Sequence, residues 1–328
     1  MMSRIEQFDK AKGIGMILVI YGHLFRYGGI PFSLIFAFHM PLFFYLSGYF
    51  FKMPDESIRI YSWLKGVIKR YLMPLFFFSL IGGIIRFMFV GSPNWKNVAN
   101  DFWHHMSSDE FFTGSVWFLW MLTVVHFLLL YIVKWGGQIF NRRLIIIISL
   151  SIISYLLSKV TFSLPFLLKS VSSSLLFVYL GYITRDFVVS WTYNKRYSNF
   201  CLMALPLFVL LVLLNKTVNI AGPVYNDFFI FLLCAFYGIF LVLLLSKYPM
   251  PSFVSYIGRH SLIVFSLHAI YIVICVKILN LLLGTEYGAM VNIPIFYVIV
   301  VGIGVVILSI IGTVVVLPVY NAFKRLIA

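Results

Sequence analysis

The chain has 328 residues, 62% of them hydrophobic and 11% charged, and a formal net charge of +15. A soluble domain carries roughly 25% charged residues, so too few polar side chains are present to cover a water-soluble globule. The composition is that of an integral membrane protein, with length for about ten spans of roughly 20 residues and no large soluble domain.

Apolar runs bounded by charges, Pro or Gly fall at 13–30, 32–51, 71–90, 115–133, 144–158, 170–184, 201–215, 227–246, 261–283 and 293–317. They lack period-2 alternation, and a chain in lipid must satisfy its backbone internally, so they are expected as helices. The fold class expected is all-α: a polytopic membrane protein of ten helices forming one domain over 1–328. The first run is interrupted by His23 and lacks a small-residue cleavage site, which makes it a retained helix rather than a signal peptide. The fifth and sixth runs are short and Ser-rich. Between the second and third, residues 52–70 are basic and amphipathic, as expected of a segment lying along the membrane surface.

The charge follows topology. With the N-terminus inside, 18 of the 25 basic residues fall on cytoplasmic segments while the ten acids split five and five. That is the Lys/Arg bias of membrane topology, it places both termini in the cytoplasm, and it leaves no call for nucleic acid as partner. Cys201, Cys234 and Cys275 sit in apolar runs without CxxC spacing and imply neither disulfides nor zinc. His104, His105, Asp101, Asp109 and Glu110 cluster in the outer loop 91–114, but lack convergent spacing for a metal, and none is expected.

Ionisable groups inside spans are costly unless paired or facing a cavity, so they mark where function is to be sought. They are His23, His39, Arg86, His126, His268 and Lys277. Lys12 precedes His23 by eleven residues, three helical turns, which puts both on one face roughly 16 Å apart. His23 and His39 lie eight residues either side of Pro31, so a hairpin there brings both imidazoles to similar depth. A neutral imidazole can take a hydroxyl proton and return it, which suits a general base. A helix–helix hydrogen bond is the purely structural alternative, and the expected one for His126.

The stretch from Arg4 to His23, followed by Phe38–Gly48 (FHMPLFFYLSG), resembles the membrane acyltransferase-3 family, whose basic-x10-His motif is matched by Lys12 and His23. Trp117–Leu122 (WFLWML) and Tyr256–His268 (YIGRHSLIVFSLH) resemble later elements of that family. The compact chain is most similar to its fucose 4-O-acetylase-like members. The resemblance implies O-acylation of bacterial envelope carbohydrates in the inner membrane, with acyl-CoA, usually acetyl-CoA, as donor from the cytoplasm. It also implies that the first-helix His is essential, that His268 supports the site, and that an Arg-x-x-Arg element holds the donor. Here Val67 occupies the first position of that element and Arg70 the second. Lys65 or Lys69 would have to substitute, without the planar fork of arginine.

The chemistry stands beside the name. A positive patch of Lys12, Lys65, Lys69 and Arg70 would hold the coenzyme A phosphates. His23, with His39, would deprotonate a sugar hydroxyl that attacks the thioester, or itself carry the acyl group as an acyl-imidazole; both routes are open. Arg86 snorkels, stabilises an oxyanion or touches the acceptor. Trp117 belongs either to the interfacial belt or to a sugar-stacking surface, and Ser47 of the Leu-Ser-Gly turn joins the acceptor-binding or supporting set. The acceptor expected is a glycan or lipid-linked sugar, and membrane lipids are the other partner. The rival function is a secondary transporter or flippase lined by intramembrane His and Arg; paired broken helices in two halves would mark it, and none stand at matching positions.

Overall fold

A computed structural model describes residues 6–25, 29–54, 60–90, 117–135, 140–160, 168–284 and 294–326. These residues form α1 (Glu6–Leu24), α2 (Ile30–Phe36), α3 (His39–Tyr49), α4 (Ile60–Val67), α5 (Met73–Val90), α6 (Trp117–Trp135), α7 (Phe140–Ser158) and α8 (Leu168–Thr184). They continue as α9 (Val188–Tyr193), α10 (Lys195–Met203), α11 (Leu205–Asn215), α12 (Phe228–Leu245), α13 (Ser252–Arg259), α14 (Ser261–Leu283) and α15 (Ile295–Leu326). A π-helical turn, Ile68–Leu72, joins α4 to α5. Among the described residues there are helices and one isolated β-bridge, Asn219 with Val224.

All ten apolar runs fall on helices, with shifted limits. The first helix begins at Glu6 and ends at Leu24, well short of residue 30, and the last runs on to Leu326. Helices α9 and α13 were not expected; both are too short for an apolar run to announce. Among the described residues, five helical segments are long and apolar enough to cross a membrane: Ile30–Tyr49, Trp117–Lys134, Phe228–Leu245, Ser261–Leu283 and Ile295–Arg325. The pair α10 and α11, bent by 45°, makes a sixth if counted as one span. Pro206 explains the bend: it sits in the first turn of α11 and has no N–H to give the Leu202 carbonyl, so the helix ladder of α10 does not run on through it. The chain is a multi-pass membrane protein, helical throughout its regular elements among the described residues.

The contacts group into two compact units, each assembled from separated stretches. The first comprises Met1–His39, Ser190–Thr217 and Leu233–Ala328; the second comprises Met40–Val189 and Val218–Leu232.

Within the first unit, α1 packs on α13, α14 and α15. In lipid there is no hydrophobic drive between apolar helices, so close backbone approach at small residues carries much of the association. Gly13 lies against the Val254 carbonyl and Gly258 against the Asp9 carbonyl, so closely that a Cβ at either position would overlap the facing backbone. Ile20, Leu24, Ile272, Val298, Val301 and Val305 fill the core between α1, α14 and α15. Near the start of α1, Gln7 donates to the Thr192 hydroxyl at 3.1 Å and the Leu243 carbonyl at 2.9 Å.

The second unit repeats the device with other helices. Gly48 of α3 meets Val178 of α8, and Gly181 of α8 meets Tyr45 of α3, again with no room for a Cβ. The Ser-rich pair α7 and α8 is tied by hydroxyls to carbonyls: Ser151 donates to Ser172 at 3.1 Å and Ser154 to Lys169. Those serines, which weakened the spans as apolar runs, hold them together as helices.

Candidate functional site

The first unit brings three histidines together. Helix α1 is continuous from Glu6 to Leu24, so Lys12 and His23 do share one uninterrupted helix. His268, 245 residues along the chain, sits in α14 with its ring centroid 5.1 Å from that of His23. The Phe36 ring, at the end of α2, lies 6.3 Å from His23 and 4.6 Å from His39, whose helix begins after a short break at Ala37 and Phe38. The imidazoles of His39 and His268 each lie within electrostatic reach of His23.

The three rings differ in access and in the state of their nitrogens. His39 is 3% exposed and His268 1%, whereas His23 is only half-buried. His39 Nδ1 is 2.9 Å from the Ile35 carbonyl, near the C-terminal end of α2, and that carbonyl also accepts the Phe38 N–H at 3.3 Å. His268 Nδ1 is 2.7 Å from the Phe265 carbonyl. A carbonyl can only accept, so in the neutral ring each Nδ1 carries the proton and each Nε2 is left as an acceptor. The Nε2 of His268 is buried without a hydrogen-bond partner. A buried lone pair left unmet costs about 1–3 kcal/mol, which makes it an acceptor waiting for an N–H or O–H.

The second unit contains His126, Ser47, Trp117 and the basic segment before α5. His126 donates from Nδ1 to the Leu122 carbonyl at 2.7 Å, and Tyr71 places its hydroxyl 3.4 Å from Nε2. The expected structural hydrogen bonds are therefore present. Ser47 donates to the Phe44 carbonyl at 2.8 Å on its own helix, and its backbone lies beside the His126 ring. Trp117 is 8% exposed at the start of α6, so it is an interior residue of this unit rather than part of an exposed aromatic belt. Lys65 and Arg70 are exposed, Lys69 is half-buried, and Val67 is buried. The side chain of Arg86 and the loop residues His104, His105, Asp101, Asp109 and Glu110 lie outside the described residues. Among the described residues no group of three or more His, Cys, Asp or Glu is arranged to hold a metal ion.

At the start of α1, Lys10 pairs with Glu6 at 2.9 Å, and this hydrogen bond and charge hold the exposed Glu6 carboxyl below its ordinary value. Sequence reasoning missed Phe36, whose apolar type marks nothing in an apolar helix, and Tyr71, which looked like one more aromatic in a span.

The sequence that builds these elements matches a known family. The acyltransferase domain of the acyltransferase-3 family matches residues 5–314, nearly the whole chain. The chain belongs to the acyltransferase-3 family. It is also 33% identical over 181 residues to the nodulation protein NolL of Mesorhizobium japonicum, across 51% of this chain and 45% of that protein. The matched region thus spans about half the length of that curated relative. No solved structure matches.

Proposed function

We propose that the chain is an integral-membrane O-acyltransferase that moves an acyl group, acetyl in the first instance, from acyl-CoA to a hydroxyl of a cell-envelope glycan or lipid-linked sugar. Membership of an acyltransferase family supports the reaction class. One observation carries the assignment of the site: His23 is the accessible imidazole of three, beside a buried lone pair on His268 that has no partner.

His23 takes the proton of the acceptor hydroxyl as its oxygen attacks the thioester carbonyl, and coenzyme A leaves as thiolate or thiol. Proton uptake makes His23 an imidazolium. The neutral Nε2 of His268 is the acceptor such a cation needs, and its proton-locked Nδ1 keeps it in that role. His39, held through Ile35, supports the same pocket with Phe36 between the rings. In the two-step variant His23 attacks the thioester itself and the acyl-imidazole then meets the hydroxyl.

The donor's phosphates are assigned to the cytoplasmic basic residues Lys12, Lys65, Lys69 and Arg70, in keeping with an inner-membrane protein whose termini both face the cytoplasm. Lys12 stands roughly 16 Å below His23 along the helix, a length suited to a pantetheine arm. Ten spans remain the reading of the sequence. Ser47, Trp117 and Arg86 are assigned, with His268, to acceptor-binding or supporting roles.

The test is a reconstituted assay with labelled acetyl-CoA and envelope glycan, read by mass spectrometry for an added acetyl group. Consumption of acetyl-CoA with acetylation of the glycan, lost in His23→Ala protein that still inserts and purifies, is the expected result. Near-normal transfer by that variant removes His23 from the mechanism. Movement of labelled glycan across the membrane without consumption of acetyl-CoA makes the protein a transporter instead.

A further inference from the structure

Two helical spans of the first unit end side by side and leave a polar network that the transfer step does not use. Helix α12 is long and apolar enough to cross a membrane, and Lys247 follows its last residue, Leu245, by two. The bent pair of α10 and α11 makes a span that begins at Lys195. The two ends touch: Lys247 Nζ donates to the Ser198 hydroxyl, one turn into α10, at 3.1 Å. Spans that meet at their ends share one membrane surface, which puts Lys247, Lys195 and Arg196 at the depth of the lipid headgroups.

The network is anchored on α9. The Thr192 carbonyl accepts from Lys247 Nζ at 2.8 Å and from Ser198 Oγ at 3.1 Å, while the Thr192 hydroxyl accepts from Gln7 of α1. A lysine that merely snorkels extends its ammonium into water. This one is held back by two protein oxygens, between two exposed rings, 5.0 Å from the Tyr248 centroid and 5.9 Å from that of Tyr193. An ammonium has three N–H groups to give. Two are spent on Thr192 and Ser198, and among the described residues the third meets no acceptor and no carboxylate pairs with the charge.

The surroundings call for an anion. Lys195 and Arg196 are exposed in the first turn of α10, which contains no acid. Cations at that end oppose the helix dipole, and an anion set over them removes the conflict. Further along the same helix the exposed residues turn apolar: Phe200, Leu202 and Met203. A free phosphate or a nucleotide leaves that apolar strip uncovered. A phospholipid presents phosphate and then hydrocarbon in the same order, and exposed tyrosines are common neighbours of its headgroup. Three cations without an acid favour a headgroup of net negative charge over a zwitterionic one. We propose that Lys247, flanked by Tyr193 and Tyr248 and joined by Lys195 and Arg196, binds the phosphate of an anionic membrane phospholipid whose acyl chains lie along α10.

Native mass spectrometry of the full chain in mild detergent, titrated with dioleoyl phosphatidylglycerol or dioleoyl phosphatidylcholine, tests it; the readout is binding, whatever the outcome of the transfer assay. Wild-type protein is expected to hold one phosphatidylglycerol about tenfold more tightly than phosphatidylcholine. Lys247→Gln is expected to abolish that preference and Lys247→Arg to keep most of it. Because Lys247 also ties α9 to α10, a second variant changes only exposed side chains: Lys195→Gln with Arg196→Gln is expected to cut the preference at least threefold at normal yield of folded protein. Wild-type protein that binds both lipids alike, or a preference unchanged in either folded variant, overturns the proposal. Lys216→Gln removes an exposed charge at the far end of α11 and is expected to change nothing; an equal loss there marks bulk attraction and overturns the site. Glycerol 3-phosphate and adenosine 3′,5′-bisphosphate have phosphate but no acyl chains and are expected not to displace the lipid. Displacement by either at equal concentration makes this a soluble-phosphate site and overturns the lipid assignment.

Discussion

Two regions of this molecule use the same ring in the same local way and come out differently. His268 in the first unit and His126 in the second each spend Nδ1–H on a carbonyl of their own helix, at 2.7 Å in both cases, and each is buried. The difference lies in what meets Nε2. At His126 it is a tyrosine hydroxyl, and the ring is closed in by Tyr71 and Phe51. At His268 it is nothing but the neighbourhood of a half-buried third imidazole. On the proposed reading the satisfied histidine belongs to the scaffold, and the unsatisfied one, beside an accessible imidazole, to the reaction. Burial alone would have ranked the two alike.

The sharpest way to break that contrast is to remove the base. His23→Ala is expected to lower the transfer rate by about 10²–10⁴-fold, the usual worth of a general base, with normal yield of folded protein; His126→Ala is not expected to approach that loss. Next in size is His268→Leu, which deletes the acceptor for the imidazolium. Hydrogen bonds to charged groups are worth about 1.5–3 kcal/mol, so kcat is expected to fall roughly 10–100-fold with KM for both substrates little changed. A variant with normal kcat would return His268 to the scaffold class. Third, Arg70→Ala is expected to raise KM for acetyl-CoA by about tenfold and leave acceptor kinetics alone, since an exposed guanidinium holding a phosphate acts through binding. Altered acceptor kinetics only would move the donor elsewhere. The smallest effect is expected at the mouth of α1. The Glu6 carboxyl is held below its ordinary value of 4.5 by Lys10, so the pair contributes above that value and is lost as pH falls through the depressed one. The Glu6 carboxyl is exposed, so Glu6→Gln is expected to shift neither thermal unfolding nor transfer measurably near neutral pH.

Much of the helical layout was legible because the solvent imposes it. Apolar runs must become helices, and all ten did, although their ends moved. Lys12 and His23 were legible as a pair because periodicity along one helix needs no tertiary information. Resemblance to the family pointed to His268, but its place beside His23 was not written in any spacing. In a membrane protein both the lipid and the protein interior are apolar, so hydropathy says little about which face of a helix turns inward. The same blindness hid Phe36, the two glycine seams and the short helix α13. Trp117 is buried at the start of α6, which its place at the edge of an apolar run does not announce. The π turn was hidden for another reason. Pro74 was visible, but its effect is exerted on the residues before it, where the sequence itself looks like ordinary helix.

The seam between α1 and α13 has a mechanical consequence. With backbone set against backbone at Gly13 and Gly258, α1 cannot turn about its own axis or slide without one carbonyl passing through the other chain. The imidazole ring it carries is therefore anchored in angle and height, as on a fixed post. On the proposed reading, accommodation of a bulkier acyl group falls to the wall that lacks such a backbone lock, the seven-residue helix ending in Phe36.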